Sequence, residues 1–396
     1  MGNIFHIYAS HGPSSYVELD LPASDYEMLD LMERLRLEPG QLPYVELLKI
    51  REEYDYLDKC ICEQPDIYQL NALARKLSEF TSVLDMAAFE GMAEVEMRKA
   101  AVPIEITKLI DFAHSTDYCH VAENAMTDHQ LGKFLVENDF IADAIDLPDA
   151  ALALLDYGKI GREHREQTEG VYTGFGYVEV YEDVRRVSET MDFQPRKPDY
   201  TILLNMAAMP LLITPVRQED MVQLRLPAPE EQVRAALEKL GRTDWNDIMV
   251  SIWDSPIPCL NHTMYFDDEA PQILELAECF QKLDAAGEMT KYKAILAANN
   301  CDGLSQAISL AGTIDEHLFE PKASSPEDVA REELKVVICD EDAATLLPHI
   351  DLQGYGRALL ERDHAIITEY GLIEQTNREQ MQDVEQQPGP GGMEMM

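Results

Sequence analysis

Basic residues are scarce in this sequence. Thirty-two Lys and Arg stand against 74 Asp and Glu, a formal net charge of −42 over 396 residues. A surface of that sign repels phosphates, so nucleic acid is not expected as a direct partner. Long hydrophobic runs are missing too: nothing approaches the ~18 apolar residues of a membrane span. The opening MGNIFHIYASHG has neither the basic nor the apolar region of a signal peptide, and His6 stands where a myristoylation signal has Ser or Thr. Seven cysteines, an odd number spread over a long chain, read as reduced thiols of a cytoplasmic protein.

Motifs of chemistry are absent as well. Cys60-x-Cys62 has no second Cys/His pair at zinc-finger spacing, and His114, Cys119 and His120 do not share one helical face. GFGYV (Gly174–Val178) lacks the third glycine of a dinucleotide fingerprint and precedes a strand instead of following one. There is no phosphate-binding G-x-x-x-x-G-K-[ST] loop and no G-x-S-x-G. No catalytic residue, metal ligand or cofactor is assigned, and the expectation is a non-catalytic binding protein.

What the chain has in excess is acid, spread evenly. Residues 1–200 hold 39 acids and 18 bases, and residues 201–396 hold 35 and 14, so each half carries −21. Seventeen Tyr and 11 Phe, with periodic apolar stretches, mark a folding chain, since disordered acidic chains are poor in aromatics. A small domain needs a net charge of only about 2–8 for solubility. The excess therefore points to a function or, alternatively, to a halophilic source.

The sequence repeats itself. VELDLPA (Val17–Ala23) returns as VQLRLPA (Val222–Ala228), a shift of 205. Leu70–Phe80 aligns with Ile273–Leu283 at a shift of 203, and Thr107–Leu135 with Ser305–Glu333 at 198. Leu155–Val180 aligns with Ile350–Gln375 at 195, matching Asp156, Gly161, Arg162, Glu166, Thr173, Gly176 and Glu179 to Asp351, Gly356, Arg357, Glu361, Thr368, Gly371 and Glu374. Block order is kept while the shift falls, as loop deletions would produce. Each copy reads strand, helix, irregular segment, two helices, then helix–turn–strand. The expected fold is α+β: two diverged copies of a mixed α/β unit, elongated and helix-rich with small sheets.

The expected divisions are residues 1–100 and 101–192 for the first copy, a linker over 193–215, residues 216–300 and 301–375 for the second, and a disordered tail over 376–396. The apolar stretch after Tyr200 is expected to form a helix docking the copies. Gly161 and Gly356 are expected to let helices pack closely, and Gly176 and Gly371 to take a positive φ or a bulge before the last strand. Tyr157, Phe175 and Tyr177 read as core or turn aromatics.

Between Leu109 and Tyr157 ten acids face one base, Lys133. If Val136–Leu147 is helical, Asp139, Asp143 and Asp146 form an i, i+4, i+7 stripe of one sign, and Glu90 and Glu94 repeat that spacing. The candidate partner-binding acids are Asp128, Glu137, Asp139, Asp143, Asp146, Asp149, Asp156, Glu163, Glu166 and Glu169. Duplex DNA carries one charge per roughly 1.7 Å, so a net charge of −42 equals about 70 Å of duplex.

The segment DHQLGKFLVENDF (Asp128–Phe140) and the run Leu154–Val180 resemble the ArdA-type antirestriction proteins of conjugative plasmids and transposons. The resemblance rests on L-G-x-x-x-x-E at Leu131–Glu137, D-Y-x-x-x-G-R at Asp156–Arg162 and G-x-[YF]-x-x-x-G-Y at Gly170–Tyr177. It covers Ile110–Tyr181 and is partial in the second copy, where Leu352 and Leu372 replace Tyr157 and Tyr177. It implies an acidic, elongated, curved, dimeric α/β protein that imitates bent duplex DNA in the groove of a type I restriction–modification enzyme. Members of that family have about half this length, so the tandem copies are expected to form an internal pseudo-dimer or a longer mimic, with a homodimer as the other possibility. The alternative expectation is a structural or adaptor protein of a mobile genetic element, its acidity serving solubility.

Overall fold

Alternation of apolar and polar side chains sets the first strand. In β1 (Phe5–Ser10) Phe5, Ile7 and Ala9 are buried and the residues between them half-buried, the period-two pattern of a strand. The computed structural model describes the chain except residues 1, 13–14, 39, 100–102, 142–147, 149–151, 153, 169, 195–198, 210–220, 267–268, 338–344 and 377–396. The chain is mixed α/β, and its described strands form four small antiparallel sheets. It divides into two compact units: Met1–Ser10, Tyr16–Ala23 and Gln41–Pro195 make the first, and His11–Ser15, Ser24–Gly40 and Arg196–Met396 the second.

In the first unit β1 lies between β2 (Tyr16–Leu21) and β3 (Tyr44–Ile50), with a bulge against β3 between His6 and Ile7. The helix after β2, α1 (Asp25–Arg34), belongs to the second unit. A 3₁₀ stretch, Glu52–Lys59, leads to α2 (Ile67–Ser78), which Asp66 caps by accepting from the Tyr68 and Gln69 amides. Helices α3 (Val83–Lys99) and α4 (Ile106–Ala113) follow. Then come β4 (Cys119–Glu123), α5 (Asp128–Glu137), α6 (Tyr157–Thr168), β5 (Val171–Tyr172) and β6 (Gly176–Val180), the strands in the order β4-β6-β5. Gly91 of α3 lies against Val178 with no room for a side chain.

The second unit opens with β7 (Ile202–Ala208), β8 (Val222–Leu226), α7 (Glu230–Lys239), β9 (Ile248–Asp254) and the short β10 (Met264–Tyr265), ordered β10-β9-β7-β8. Next are α8 (Ala270–Ala286), α9 (Met289–Ala298), α10 (Leu304–Ala311), β11 (His317–Glu320), α11 (Pro326–Val337), α12 (Leu352–Asp363), β12 (Ile366–Thr368) and β13 (Gly371–Gln375), with sheet order β11-β13-β12. One core joins Ile202 and Leu204 of the sheet to Ile273, Phe280 and Tyr292 of the helices.

Helix α1 is held in this unit by polar contacts as well as by its apolar face. Ser24 and Glu27 form a capping box, and the Ser24 hydroxyl also donates to Asp254 at 2.8 Å. The Thr201 amide donates to the Tyr26 hydroxyl at 2.7 Å. Lys293 of α9 reaches Asp30 at 2.8 Å and Glu33 at 2.7 Å, and the Tyr370 hydroxyl donates to Asp30 at 2.9 Å. Lys293 and Asp30 are only 4% and 5% exposed. Burial works against the lysine charge, but Asp30 and Glu33 outweigh it and the net shift of its pKa is upward.

The two copies match element by element. In each, the central strand of the first sheet (β1, β7) is flanked by the two that follow it, with a register shift at His6/Ile7 and at Leu203/Leu204. Both Leu21–Pro22 and Leu226–Pro227 are cis. The Thr173 hydroxyl donates to the Gly176 carbonyl, as that of Thr368 does to Gly371, and these glycines have φ of +156° and +145°. A side chain on Gly161 would run into the Asp128 carbonyl, and one on Gly356 into that of Pro326, the residue 198 positions on from Asp128.

Two expectations are corrected. The stretch after Tyr200 is a strand, β7, not a helix, so residues 202–208 of the expected linker are the centre of a sheet; alternating burial on both faces of the strand overrides the helical reading of a short apolar run. The shift between copies also does not fall throughout. It is 197 at β1/β7 and 205 at β2/β8, because 13 residues join β7 to β8 where five join β1 to β2. The expected tail lies outside the described residues but for Thr376, whose amide donates to the Glu316 carbonyl.

Gly161→Ala and Gly356→Ala are each expected to destabilise by about 1–3 kcal/mol through overpacking, read as a lower denaturation midpoint. Lys293→Ala is expected to destabilise by about 3–5 kcal/mol because it strands buried Asp30, whereas Lys293→Met with Asp30→Leu should recover most of that loss.

Candidate partner-facing acidic surface

Helices α5 and α6 carry Asp128, Glu137, Glu163 and Glu166 of the acids expected to face a partner, and Asp156 stands just before α6. Thr127 caps α5 by accepting from the Gln130 amide, and Asp156 caps α6 by accepting from the Lys159 amide at 3.0 Å. Gly132 and Gly161 bring the two backbones together: an added side chain on Gly132 would meet the Tyr157 carbonyl. This approach fixes the spacing of the acids on the outer faces.

Helix α5 stops at Glu137. The Asn138 amide bonds to the Phe134 carbonyl, the Phe140 amide to that of Leu135, and Asp139 takes a left-handed φ of +62°. The expected helix over Val136–Leu147 is therefore broken at its fourth residue, and Asp139 sits in a turn, not at the head of a helical stripe. Asp143, Asp146, Asp149 and Glu169 lie outside the described residues.

The remaining acids divide by role. Asp128 is not a free surface carboxylate. It accepts from Arg165 at 2.9 Å and from the Tyr172 hydroxyl at 2.7 Å, with Arg162 at 3.6 Å. The bonds from Arg165 and Tyr172 hold its carboxyl well below the usual range, at about 2. Asp156 is a helix cap, as its repeat Asp351 is for α12. Glu137 and Glu163 are exposed and lie 3.5 Å from Lys133 and 3.7 Å from Lys159, one helical turn away. Exposed pairs of this kind are worth about 0.3–0.5 kcal/mol and part readily. Glu166 and Asp139 are exposed. Glu90 is half-buried and accepts from the Gly174 amide at 3.2 Å; burial followed by the Glu94 charge raises its pKa.

Several bases turn back onto the protein. Arg185 forks onto Asp117 at 2.8 and 2.6 Å, donates to the His114 carbonyl and stacks on Tyr118. Arg36 donates to the Pro321 and Thr368 carbonyls, Arg165 to Asp128, and Lys293 to Asp30. Cations held this way do little to neutralise the outer acids.

One arrangement escaped the sequence reading. Glu179, facing His120 across the β4–β6 pair, lies 2.9 Å from His164 and 3.4 Å from His120. These three residues line a cavity of about 320 Å³ with Leu131, Phe134 and Phe140. The signal was available only through strand pairing, since residues 120, 164 and 179 share no local spacing. Among the described residues no group of His, Cys, Asp and Glu is arranged to hold a metal ion. Burial pushes the thiols of Cys60 and Cys119 up to about 11 and 12, away from the thiolate a nucleophile requires. No helix among the described residues is long and apolar enough to cross a membrane.

The Asp128 cluster has a pH signature. Its folded pKa lies below the ordinary 3.8, so its contribution is complete above that value and is lost as pH falls toward 2. Asp128→Asn is expected to destabilise by about 1 kcal/mol at pH 7 and by much less near pH 2, measured by urea denaturation. A comparison of the chain with models of known protein families gave no match, and neither did a comparison with curated proteins.

Proposed function

We propose that this chain is an antirestriction protein, an acidic DNA mimic that occupies the DNA-binding groove of a type I restriction–modification enzyme without catalysis. One observation carries the reading: −42 of net charge, divided equally between the halves of a chain with packed cores. Self-repulsion on that scale opposes folding, and solubility alone does not call for it. The resemblance around Asp128–Tyr177 supplies the class of target. Glu137, Asp139, Glu163 and Glu166 then take phosphate positions opposite Lys and Arg of the enzyme, while Asp128 and Asp156 hold the scaffold.

A second reading, an adaptor of a mobile genetic element acting in the cytoplasm, draws on one feature. Tyr16, Tyr44 and Leu48 leave exposed apolar surface on the first sheet. Such a protein would bind through that surface and tolerate charge reversal on α5 and α6.

The test is inhibition of a purified type I enzyme, with duplex DNA as competitor. Inhibition is expected to weaken at least tenfold when ionic strength rises from about 50 to 200 mM, by screening of facing charges. Asp139→Lys with Glu163→Lys and Glu166→Lys is expected to weaken it by about a thousandfold or more, each close charge pair being worth about 1.5 kcal/mol or more. Indifference to both changes would favour the adaptor.

A further inference from the structure

Among the positions at which the two copies differ in charge, one lies where a helix docks in the second unit. Residue 90 corresponds to residue 293 at a shift of 203, the same shift that relates Leu70 to Ile273. Phe89 and Tyr292, immediately before these residues, are both fully buried. Both positions meet the last hairpin of their copy: Glu90 accepts from the Gly174 amide, and Lys293 lies 5.8 Å from the Tyr370 ring. Residues 174 and 175 correspond to 369 and 370 at a shift of 195.

In the second unit this face receives α1, whose Asp30 and Glu33 close on Lys293 and whose backbone runs against Pro258–Leu260. In the first unit the same face is inverted. Glu90 replaces the lysine and Glu94 lies one turn on, beside the 3₁₀ stretch Glu52–Lys59. The hydroxyl of Tyr56 in that stretch is shut off from solvent with no hydrogen-bond partner. The Tyr56 ring lies 6.3 Å from that of Phe89, the residue before Glu90.

We propose that the Glu90–Glu94 face of the first unit docks a basic amphipathic helix of a partner protein, with Lys or Arg three or four positions apart, seated as α1 is on Lys293. A second copy of this chain does not suit the site. Its counterpart of α1 is α7, which carries Glu231, Ala235 and Glu238 where α1 has Tyr26, Asp30 and Glu33, and would bring acid to acid. The proposal rests on the reading above only for the basic character of the partner.

The probe is a labelled peptide of the sequence Ser24–Leu37 with Asp30→Lys and Glu33→Lys, titrated against the full chain by fluorescence anisotropy at about 50 mM salt. It is expected to bind at least tenfold more tightly than the peptide of unchanged sequence. Glu90→Gln with Glu94→Gln should remove about tenfold of that affinity while leaving circular dichroism and the denaturation midpoint near those of the parent. Equal binding of the two peptides, or undiminished binding to the double variant, would overturn the proposal. So would self-association in sedimentation that the double variant abolishes, which would assign the face to a second copy. No restriction enzyme enters this assay, so its failure and the failure of the inhibition assay are separately visible.

Discussion

Self-repulsion is the constraint that the rest of this structure has to satisfy. With more than two acids for every base, each packed element brings like charges together, and the cores of both units must hold against that push. The fold does so by keeping carboxylates outside or binding them tightly. Asp30 and Asp111 are buried and Asp128 is half-buried, and each gains a specific partner: Lys293, the Ser188 amide and hydroxyl, and Arg165. A buried carboxylate without such a partner would be far more costly than an exposed one.

The same constraint explains where the bases sit. A lysine or arginine dispersed on the surface would neutralise its neighbours weakly, through screened and mobile contacts. Placed at Arg36, Arg165, Arg185 and Lys293, the cations instead tie together segments far apart in sequence. These four cations are thereby committed to groups of their own chain. A binding surface for a basic partner and a stable fold thus draw on one distribution of charge.

Much of the architecture was legible from sequence because it is repeated. Block order and the glycines at 161, 176, 356 and 371 located equivalent elements, and the amphipathic stripes of α2 and α8 marked helices. The first strand of each copy escaped because FHIYAS and ILLNMAA have no flanking match at a common shift, and the second is apolar enough to pass for a helix. Site roles were harder. Whether an acid is a clamp, a cap or a free charge depends on residues 37 or 44 positions away, as Asp128 shows with Arg165 and Tyr172. The end of α5 had a local signal, since Asn and Asp favour the left-handed conformation and Asn138–Asp139 stands where the helix stops.

The residence of α1 outside the unit of its own strands means that repeat and folding boundaries do not coincide. Dividing the gene between the duplicated halves would separate Tyr26, Met28 and Leu31 from the bed that shields them and leave Lys293 facing empty space. Each fragment would then display an unmatched half of one joint, a sticky apolar ridge on one and an orphaned cation on the other. The segment Ser24–Gly40 thus follows the strands of one repeat in sequence while packing in the unit of the other.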